Sequence, residues 1–472
     1  MIKMNSENLM FETKYSTKKA VMYSFAGLTD VLILQFFTFL IFTFYYAVVG
    51  LNIIYITLAF IIWSIWNAIN DPILGALSDR TSTKWGRRKP YILMGIYPLC
   101  IIVILLWTPP IGSSQLIIFV YFLIIIILWE FFYTMYSLNQ TSIFPEMFQD
   151  LQDRTKANTF IQFFQVISLL IAFILPSFFI PTYNDPKYFT NYMYAGIAIA
   201  IICAICATIF IKFGLKERIE FSKDNEIAPN FVNSLKYTLK NKAFLTFIVA
   251  NFCLWYTFAM LPTIVPLYGY FVLNIDDSLI LSLLLATTFI SAAIFVFMWR
   301  SIIPKIGVKK TFLWVLIIYI ITLVPFMLMT EEILIFFIFS SFFVVGIGIA
   351  GALVVRDVTI GVIIDEDELR TGARREGNFY GINGFIIKLS NVLVFVSIAL
   401  VFSGTGWGEY VPNPGTDIIF GLRALMFIFP AAVLGIGIIF ILLFPITKQK
   451  YNKITEDAKK LHEKKKEKVI AS

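Results

Sequence analysis

Four ionisable side chains stand within stretches of sequence that are otherwise apolar: Asp30, Asp71, Glu130 and Lys388. A charged side chain inside a membrane span is costly and is taken as functional by default. A carboxylate can bind a proton or a cation, and it can accept hydrogen bonds from two hydroxyl groups of one solute. An ammonium can neutralise a nearby carboxylate. The chemistry that these residues suggest is therefore the reversible binding of a cation and a polar solute.

The elements that must position these groups are long apolar helices. Hydrophobic types make up 59% of the 472 residues and charged types only 14%, whereas a soluble domain carries about 25% charged residues. A helical span needs about 20 apolar residues, and closed helices satisfy the backbone in lipid. We predict an all-α membrane protein with twelve spans, near residues 20–47, 53–77, 90–108, 116–145, 157–181, 190–213, 244–273, 277–299, 311–329, 333–362, 377–403 and 418–445.

Basic residues concentrate in the even-numbered connections between spans. The connection after span 2, for example, holds five Lys or Arg residues between positions 80 and 89. Positive residues mark the cytoplasmic side, which predicts cytoplasmic termini and a multi-pass protein of the plasma membrane. This topology also accounts for the net charge of +8, so no nucleic-acid partner is predicted.

The longest internal polar stretch falls between spans 6 and 7 and divides the chain into six plus six spans. A weak repeat supports the division, because residues 84–89 and 305–310 both read basic-x-Gly-x-basic-basic. The tail is predicted to be a basic helix at the membrane surface. The predicted organisation is a cytoplasmic N-terminus (1–19), an N-terminal six-helix half (20–213), a cytoplasmic linker (214–243), a C-terminal six-helix half (244–446) and a basic cytoplasmic tail (447–472).

A charged motif joins spans 2 and 3. Its spacing is Gly-x-Leu-x-Asp-Arg-x-x-x-basic-x-Gly-basic-basic, and its members are Gly75, Asp79, Arg80, Gly86, Arg87 and Arg88. The pattern resembles the loop signature of the major facilitator superfamily, which implies the major facilitator fold, with 12 transmembrane helices in two pseudo-symmetric six-helix halves. We interpret the motif as a gate in which Asp79 pairs with loop arginines in one access state and releases them in the other. The alternative is a set of ordinary positive-inside residues.

The segment 66–72 reads Trp-Asn-Ala-Ile-Asn-Asp-Pro. It resembles the Trp-Asp/Asn-Ala-x-x-Asp-Pro motif of the glycoside–pentoside–hexuronide:cation symporters. In that family the two acidic positions of the motif contribute to the cation site, which implies a cation-binding role for Asp71, with Asn67 and Asn70 beside it. The first acidic position is Asn67 here, so Asp71 is the acid that remains.

Glu130, in span 4, is a further intramembrane acid, which lies outside the motifs described above. It is either an alternative proton or cation ligand or the ion-pair partner of Arg356 or Lys388. An acidic position of the resembled cation site matches Ser137 in the same span. Because Asn67 and Ser137 are neutral, a sodium cage lacks two charges, so H+ is slightly favoured over Na+ as the coupling ion. No other cofactor and no metal site is predicted.

The predicted substrate-binding residues also follow from the resemblance. The melibiose-permease-like branch has an aspartate at the position of Asp30 that binds sugar hydroxyls, and an arginine at the position of Gln162 that contacts sugar. Family members keep a lysine at the position of Lys388, near the cation and sugar sites, and Tyr380 lies on the same helical face. Glutamine can still hydrogen-bond a hydroxyl, so Gln162 stays in the set with Asp30, Lys388 and Tyr380.

The connection between spans 10 and 11 is a second strong match. Residues 365–377 resemble the family segment Asp-x-x-Glu-x-x-Thr-Gly-x-Arg-x-Glu-Gly. We predict a cytoplasmic gate or charge network that includes Asp365, Glu368, Arg375 and Glu376.

These features predict a secondary active transporter, not an enzyme, because the polar segments hold no nucleotide loop, metal cluster or nucleophile–base pair. The expected solute is small and polar, a sugar or glycoside, carried by cation symport and alternating access by a monomer in the lipid bilayer. The first alternative is a lysolipid or other amphiphile, since 49 phenylalanines suit a less polar cavity. The second is a non-transporting sensor or scaffold, which would need a soluble domain longer than the tail 447–472.

Overall fold

The computed structural model describes residues 16–81, 83, 85–148, 151–216, 238, 240–372 and 376–471. Within these ranges the side chains at positions 76, 79, 80, 145, 146, 151, 152, 155, 376–378 and 462–471 lie outside the description. The predicted cytoplasmic linker, 214–243, falls largely on residues that are not described. The boundaries predicted for the linker and for the N-terminus therefore stay predictions.

Every regular element in the described ranges is helical. Short π-helical turns extend two helices, at Phe44–Val48 and Phe210–Gly214. The α-helices are α1 (Thr17–Thr43), α2 (Ile53–Arg80), α3 (Lys89–Leu105), α4 (Gln115–Met147), α5 (Leu151–Ile174), α6 (Phe189–Ile209), α7 (Lys242–Val272), α8 (Ser278–Ile306), α9 (Val308–Leu328), α10 (Ile335–Thr371), α11 (Glu376–Gly404), α12 (Thr416–Met426), α13 (Ile428–Leu442) and α14 (Lys448–Ala471).

Twelve helical segments correspond to the twelve predicted spans. Eleven of the described segments are long and apolar enough to cross a membrane, and α3 is a shorter apolar helix of 17 residues. The twelfth span consists of α12 and α13, which are separated at Phe427. The prediction of an all-α membrane protein with twelve spans is confirmed.

One helix end differs from the prediction in a way that affects the site residues. The tenth span was expected to end near residue 362, whereas α10 continues to Thr371 and ends at Gly372, whose φ of 76° is left-handed. Asp365 and Glu368 therefore lie on the last turns of a helix and not in a connecting loop. The helix continues past its apolar part because backbone hydrogen bonds do not depend on side-chain polarity, and glycine in the left-handed region is a common end signal.

The two halves are related by similar helix packing. In the first half α1 packs on α5 and α6, α2 packs on α4, and α3 packs on α4 and α6. In the second half the equivalent pairs are α7 with α11 and α13, α8 with α10, and α9 with α10 and α13. The halves meet through α1 with α7, α2 with α11 and α5 with α8. This repetition is the pseudo-symmetry between two six-helix halves that the sequence analysis predicted.

The halves are sealed together at one end of the bundle, which we call the far end. It contains the connections 49–52, 179–188, 273–277 and 405–415, opposite the end that holds residue 16 and α14. Rings of the two halves stack there, with 3.5 Å between the centroids of Phe60 and Phe395. Neutral hydrogen bonds add to the seal: Tyr183 with Ser282 (2.7 Å), Asn184 with Tyr410 (2.9 Å), and the backbone nitrogen of Ile53 with the carbonyl oxygen of Gly408 (2.9 Å).

The basic tail is helical, as predicted, but it also packs against the second half. Ile454 and Ala458 are buried, on a helix that contacts α10 and α9. The ammonium of Lys450 pairs with the carboxylate of Glu366 on α10. Contact of the tail with a membrane surface stays a prediction.

Candidate functional site

A cavity of about 390 Å³ lies between the two halves. The first half contributes lining residues from α1, α2 and α4, and the second half contributes them from α7 and α11. The cavity therefore sits at the interface that must change when the halves move relative to each other. Its volume falls within the range of roughly 300–1,000 Å³ that is usual for small-molecule sites.

One face of α2 supplies the most polar wall of the cavity. Trp63, Asn67 and Asp71 are spaced four residues apart, so they lie above one another on the helix, and all three line the cavity. Asn70 lies on another face. Its side chain is buried, and its Nδ2 donates to the backbone carbonyl oxygen of Glu130 at 3.4 Å. The role of Asn70 in the structure is thus to join α2 to α4, outside the cavity wall.

The ammonium of Lys388 reaches across from α11 to this wall. It donates to the Asp71 carboxylate and to the side-chain carbonyl oxygen of Asn67, and it lies 4.0 Å from Oε1 of Glu130. The Asp71 side chain remains 37% exposed and that of Lys388 25% exposed. The pair is thus an ion pair between the halves, and solvent has access to both groups.

Thr134, which the sequence analysis did not select, connects the two carboxyl groups. Its hydroxyl oxygen lies 3.0 Å from Oδ1 of Asp71 and 3.2 Å from Oε1 of Glu130. A hydroxyl has one proton, so it donates to only one of the two oxygens at a time. The spacing of four residues between Glu130 and Thr134 was the available signal, because it places both side chains on one face of α4.

The charges in this cluster do not balance. Asp71 and Glu130 supply two carboxyl groups, and Lys388 supplies one ammonium. The Glu130 side chain is only 3% exposed, and an uncompensated buried charge is strongly destabilising. One additional monovalent cation, either a proton or a metal ion such as sodium, would neutralise the cluster.

The other predicted substrate-binding residues are not brought together with Lys388. Asp30 is half-buried on α1 beside Tyr133 and Ser137, and its Oδ1 is buried without a hydrogen bond. Gln162 is exposed on α5, and Tyr380 is 49% exposed near the start of α11. Asp30, Gln162 and Tyr380 all lie outside the cavity lining.

Polar groups that the sequence analysis did not select face the cavity instead. Gln35 and Trp63 both line it. The side-chain oxygen of Gln35 is buried without a hydrogen bond, and the indole of Trp63 lies beside the carboxyl group of Glu130. Trp255 and Phe258 of α7 form part of the opposite wall. A solute with hydroxyl groups would find an amide side chain and aromatic surface here. Trp63 had a sequence signal, since it precedes Asn67 by four residues, whereas Gln35 had none.

Arg356 and Lys388 were the two ion-pair partners considered for Glu130, and Arg356 does not pair with it. The Nε atom of Arg356 donates to Asp357 at 2.9 Å, and the guanidinium lies 4.8 Å from the ring centroid of Trp255. Lys388 is the basic group nearest to Glu130 in the described contacts.

The predicted gates are only partly described. Gly75 faces Leu138 of α4, and Gly86 has a φ of 100°, which suits glycine. Arg87 and Arg88 are largely buried, and Glu368 is buried on α10. The side chains of Asp79, Arg80 and Glu376, and the whole of Arg375, lie outside the described residues, and the role of Asp365 is untested. The gating function of the two motifs therefore stays a prediction.

No group of three or more His, Cys, Asp or Glu side chains suited to a metal ion occurs in the part of the chain that the structure describes. The cluster around Asp71 differs from such a group because amide, hydroxyl and carboxyl oxygens contribute together.

Comparison with known proteins agrees with the fold. Residues 22–448 match the family described as MFS/sugar transport protein. The isoprimeverose transporter of Lactiplantibacillus pentosus is 23% identical over 390 residues, which cover 80% of this chain and 77% of that protein. The sodium-dependent lysophosphatidylcholine symporter 1-A of Danio rerio is 20% identical over 425 residues, which cover 82% and 77%.

A solved structure has the same fold. The crystal structure of the nucleoside transporter NupG superimposes with a TM-score of 0.68 over 90% of this chain and 99% of that one, at 13% sequence identity. At this identity the similarity concerns the fold alone.

Proposed function

Because this chain belongs to the MFS/sugar transport protein family of the major facilitator superfamily, we propose that it couples the movement of a small polar solute to that of one monovalent cation. The proposal treats it as a symporter, with a sugar or glycoside as the favoured solute. The observation that carries the proposal is the ion pair of Asp71 with Lys388, which joins the halves beside a second carboxyl group on Glu130.

The position of this ion pair supplies a route for coupling. Asp71 belongs to the first half and Lys388 to the second, so a cation that binds Asp71 weakens the attraction between the halves. The cluster lines the same cavity that would hold the solute. Occupancy by cation and solute would then control the same interface, as alternating access requires.

For the coupling ion we favour the proton. Hard metal cations need several oxygen ligands at once, and the Lys388 ammonium already engages the oxygens of Asp71 and Asn67. A proton needs only one carboxyl oxygen, and Glu130 provides a second acceptor within the same cluster.

A polyhydroxy solute suits the cavity wall. Gln35 offers an acceptor without a hydrogen bond in the structure, and Trp63 and Trp255 offer flat aromatic surfaces. Sugars present hydroxyl groups at the edge and C–H groups on the ring face. The relative named as an isoprimeverose transporter supports the same solute class.

A lysolipid is the second candidate solute. Apolar side chains, among them Leu34, Phe258 and Ile387, line part of the cavity, and one relative is named a lysophosphatidylcholine symporter. An acyl chain would use these apolar residues, whereas a sugar would use Gln35 and Trp63.

We propose the plasma membrane as the location and the cytoplasm as the side of both termini. The basic connections at the end that holds the termini support this orientation. The far end would then face outward, and the halves would be closed toward the outside in this conformation.

The test is uptake into liposomes that contain the purified protein. Radiolabelled sugars, glycosides and lysophosphatidylcholine are offered under an inward proton gradient, a sodium gradient or none. The Asp71→Asn variant is compared with Asp276→Asn, which removes an exposed carboxylate from the connection between α7 and α8.

We expect sugar uptake that follows the proton gradient, is lost in Asp71→Asn and is unchanged in Asp276→Asn. Gradient-independent uptake of equal rate in both variants would remove coupling from the proposal. Uptake of lysophosphatidylcholine alone would replace the sugar with the second candidate.

A further inference from the structure

We infer that Arg356 of α10 binds a negatively charged group of the solute, a carboxylate, sulfonate or phosphate, at a recess beside the cavity. The inference deepens the proposed function and rests on it for the existence of a transported solute. It assigns a role to a charge that neither the cluster around Asp71 nor the predicted sugar contacts use. Binding can be measured without transport, so the two proposals can fail separately.

The recess lies between α7 and α10 of the second half. Its lining includes Asn251, Trp255 and Phe258 of α7, which share one face of that helix, and Arg356 of α10. Trp255 and Phe258 also line the cavity between the halves. The recess has a volume of about 10 Å³, which is room for roughly one water-sized atom. A solute in the cavity that extends past these two rings can place one oxygen atom there, next to Arg356.

Arg356 has hydrogen-bond donors that its described contacts do not use. It belongs to the tenth span, where a charged side chain is costly and functional by default, and its side chain is 24% exposed. Its Nε donates to Asp357 at 2.9 Å, and the guanidinium lies 4.8 Å from the ring centroid of Trp255. The donors on its two Nη atoms engage no acceptor among the described residues. A guanidinium presents its donors as a fork that matches the oxygens of a carboxylate or phosphate.

The neighbouring Asp357 leaves this capacity in place. Its side chain is 65% exposed, and an ion pair that solvent reaches so freely contributes little. It accepts from Nε alone. The ring of Trp255 attracts the positive charge and holds the guanidinium beside the cavity. A second anion can therefore bind to the two Nη atoms.

Asn251 is an independent sign that the recess receives a ligand. Its side chain is fully buried, and its Nδ2 donates to Oδ1 of Asn383 at 2.8 Å. Its own Oδ1 is buried and accepts no hydrogen bond from the described residues, which is costly for a buried acceptor. A hydroxyl group of the solute would donate to this oxygen and accept from Arg356. The recess thus suits an anion with a neighbouring hydroxyl, as in a sugar acid, and we favour that source over the phosphate of a lysolipid.

This role differs from two simpler roles for Arg356. If the arginine only pairs with Asp357 or only holds Trp255 in place, its removal weakens the binding of acidic and neutral solutes alike. If it binds an anionic group, its removal weakens the binding of acidic solutes alone. Solutes that match except for one acidic group therefore separate these roles.

The experiment measures equilibrium binding of radiolabelled probes to the purified full-length protein in detergent, at constant ionic strength. The probes are matched pairs: D-glucuronate with D-glucose, D-galacturonate with D-galactose, and lysophosphatidylcholine with monoacylglycerol. The variants are Arg356→Gln, Arg356→Lys and Arg300→Gln. The last is the control, because Arg300 is an exposed arginine near the end of α8.

We expect the unaltered protein to bind the acidic member of at least one sugar pair more tightly than its neutral partner. Arg356→Gln should weaken binding of that acid at least about tenfold, as for a lost hydrogen bond between charged groups, and change binding of the neutral partner by less than about twofold. Arg356→Lys should retain part of the preference and Arg300→Gln all of it.

Three results would overturn the inference. They are equal binding of both members of every pair by the unaltered protein, a loss by the same factor for both members in Arg356→Gln, and no binding of any acidic probe. If lysophosphatidylcholine is the one acidic probe whose binding depends on Arg356, the subsite stands and the anionic group is the phosphate of a lysolipid.

A second variant covers the case in which the Arg356 variants do not fold. Asn251→Asp keeps the volume of the side chain and places a carboxylate in the recess, where it pairs with Arg356 and repels an incoming anion. Asn251→Leu is its uncharged control. We expect Asn251→Asp to abolish the preference for the acidic probe and Asn251→Leu to retain it. A preference unchanged in Asn251→Asp contradicts the inference.

The two proposals fail in different ways. Binding of an acidic probe that depends on Arg356, without any gradient-driven uptake, supports the anion subsite and removes symport. Gradient-driven uptake of neutral sugars by a protein that shows no preference for acids supports symport and removes the subsite.

Discussion

Two regions join the halves of this transporter, and they use different physical interactions. At the far end, stacked rings such as Phe60 with Phe395 and neutral hydrogen bonds such as Tyr183 with Ser282 hold the halves together. In the cavity the Lys388 ammonium joins the halves, through an ion pair with Asp71 and a hydrogen bond to Asn67. A proton or a cation can weaken the ion pair directly, whereas the ring contacts have no charge that an ion can change.

The comparison suggests that the two kinds of contact contribute to different properties of the protein. Apolar and neutral contacts set how stable the far-end-closed conformation is, because their strength comes from buried area and shape. In the proposed mechanism the ionic contact would determine when that conformation changes, because its strength would depend on whether a cation is bound. The following predictions separate the two contributions, beginning with the largest expected effect.

The first prediction concerns the seal. Phe60→Ala removes a buried ring that stacks on Phe395, and such changes cost about 3–5 kcal/mol of stability. We expect a clearly lower unfolding temperature in detergent. The same ion gradient should still drive uptake. Phe336→Ala is the control, because that ring on α10 is 71% exposed. Equal unfolding temperatures for the two variants would show that the seal contributes little to stability.

The second prediction concerns the second carboxyl group of the cavity. Glu130→Gln keeps the shape of a buried side chain and removes its charge, so the cluster no longer needs an additional cation. We expect gradient-driven uptake to fall by roughly 100-fold, in line with about 3 kcal/mol for a buried charge partner. Binding of the solute should change much less. If the gradient still drives uptake at the normal rate, Glu130 has no part in coupling.

The third prediction concerns the hydroxyl that connects Asp71 and Glu130. Thr134→Val removes the hydroxyl with little change in volume, and we expect a loss of coupled uptake of about fivefold, since one such hydrogen bond contributes about 1 kcal/mol. Thr134→Ser keeps the hydroxyl and should retain most activity. Equal rates for the valine and serine variants would mean that the hydroxyl only fills space.

The fourth prediction compares two glutamines of the first half. Gln35 lines the cavity with a buried oxygen, whereas Gln162 is exposed on α5 and outside the lining. We expect Gln35→Ala to raise KM for the solute by about fivefold, which reflects about 1 kcal/mol for a lost hydrogen bond. Gln162→Ala should leave KM within about twofold. The reverse result would show that the sugar binds near Gln162, where the family resemblance places a sugar contact.

Part of the site could be predicted from sequence because it depends on local spacing. Asn67 and Asp71 share a face of α2 for the simple reason that a helix repeats about every 3.6 residues, and Lys388 was the expected partner of an acid in the opposite half. The structure agrees with that pairing. Asn70, in the same motif, has a different role, because its angular position points it toward α4.

The remaining site residues could not be assigned from local pattern. Gln162 and Tyr380 were expected beside the solute, yet both lie outside the cavity lining. Tyr380 shares a face of α11 with Lys388 but lies eight residues nearer the start of the helix. The depth at which the cavity lies along each helix is set by packing against neighbouring helices, which no short segment of the sequence encodes. The same applies to Thr134, whose importance appears only when α2 and α4 meet.

By itself the sequence determined the membrane class, the number of spans and the division into two halves. Each apolar run is a local feature, and its length alone indicates whether it can cross the apolar part of a bilayer. It also determined which charges are too costly to be accidental. Only the tertiary structure decided which charges meet, that the ammonium of Lys388 lies among the oxygens of the other half, and which end of the bundle is closed. The physical reason is that these contacts join segments up to 321 residues apart, so they depend on how rigid helices pack and not on what any one helix contains.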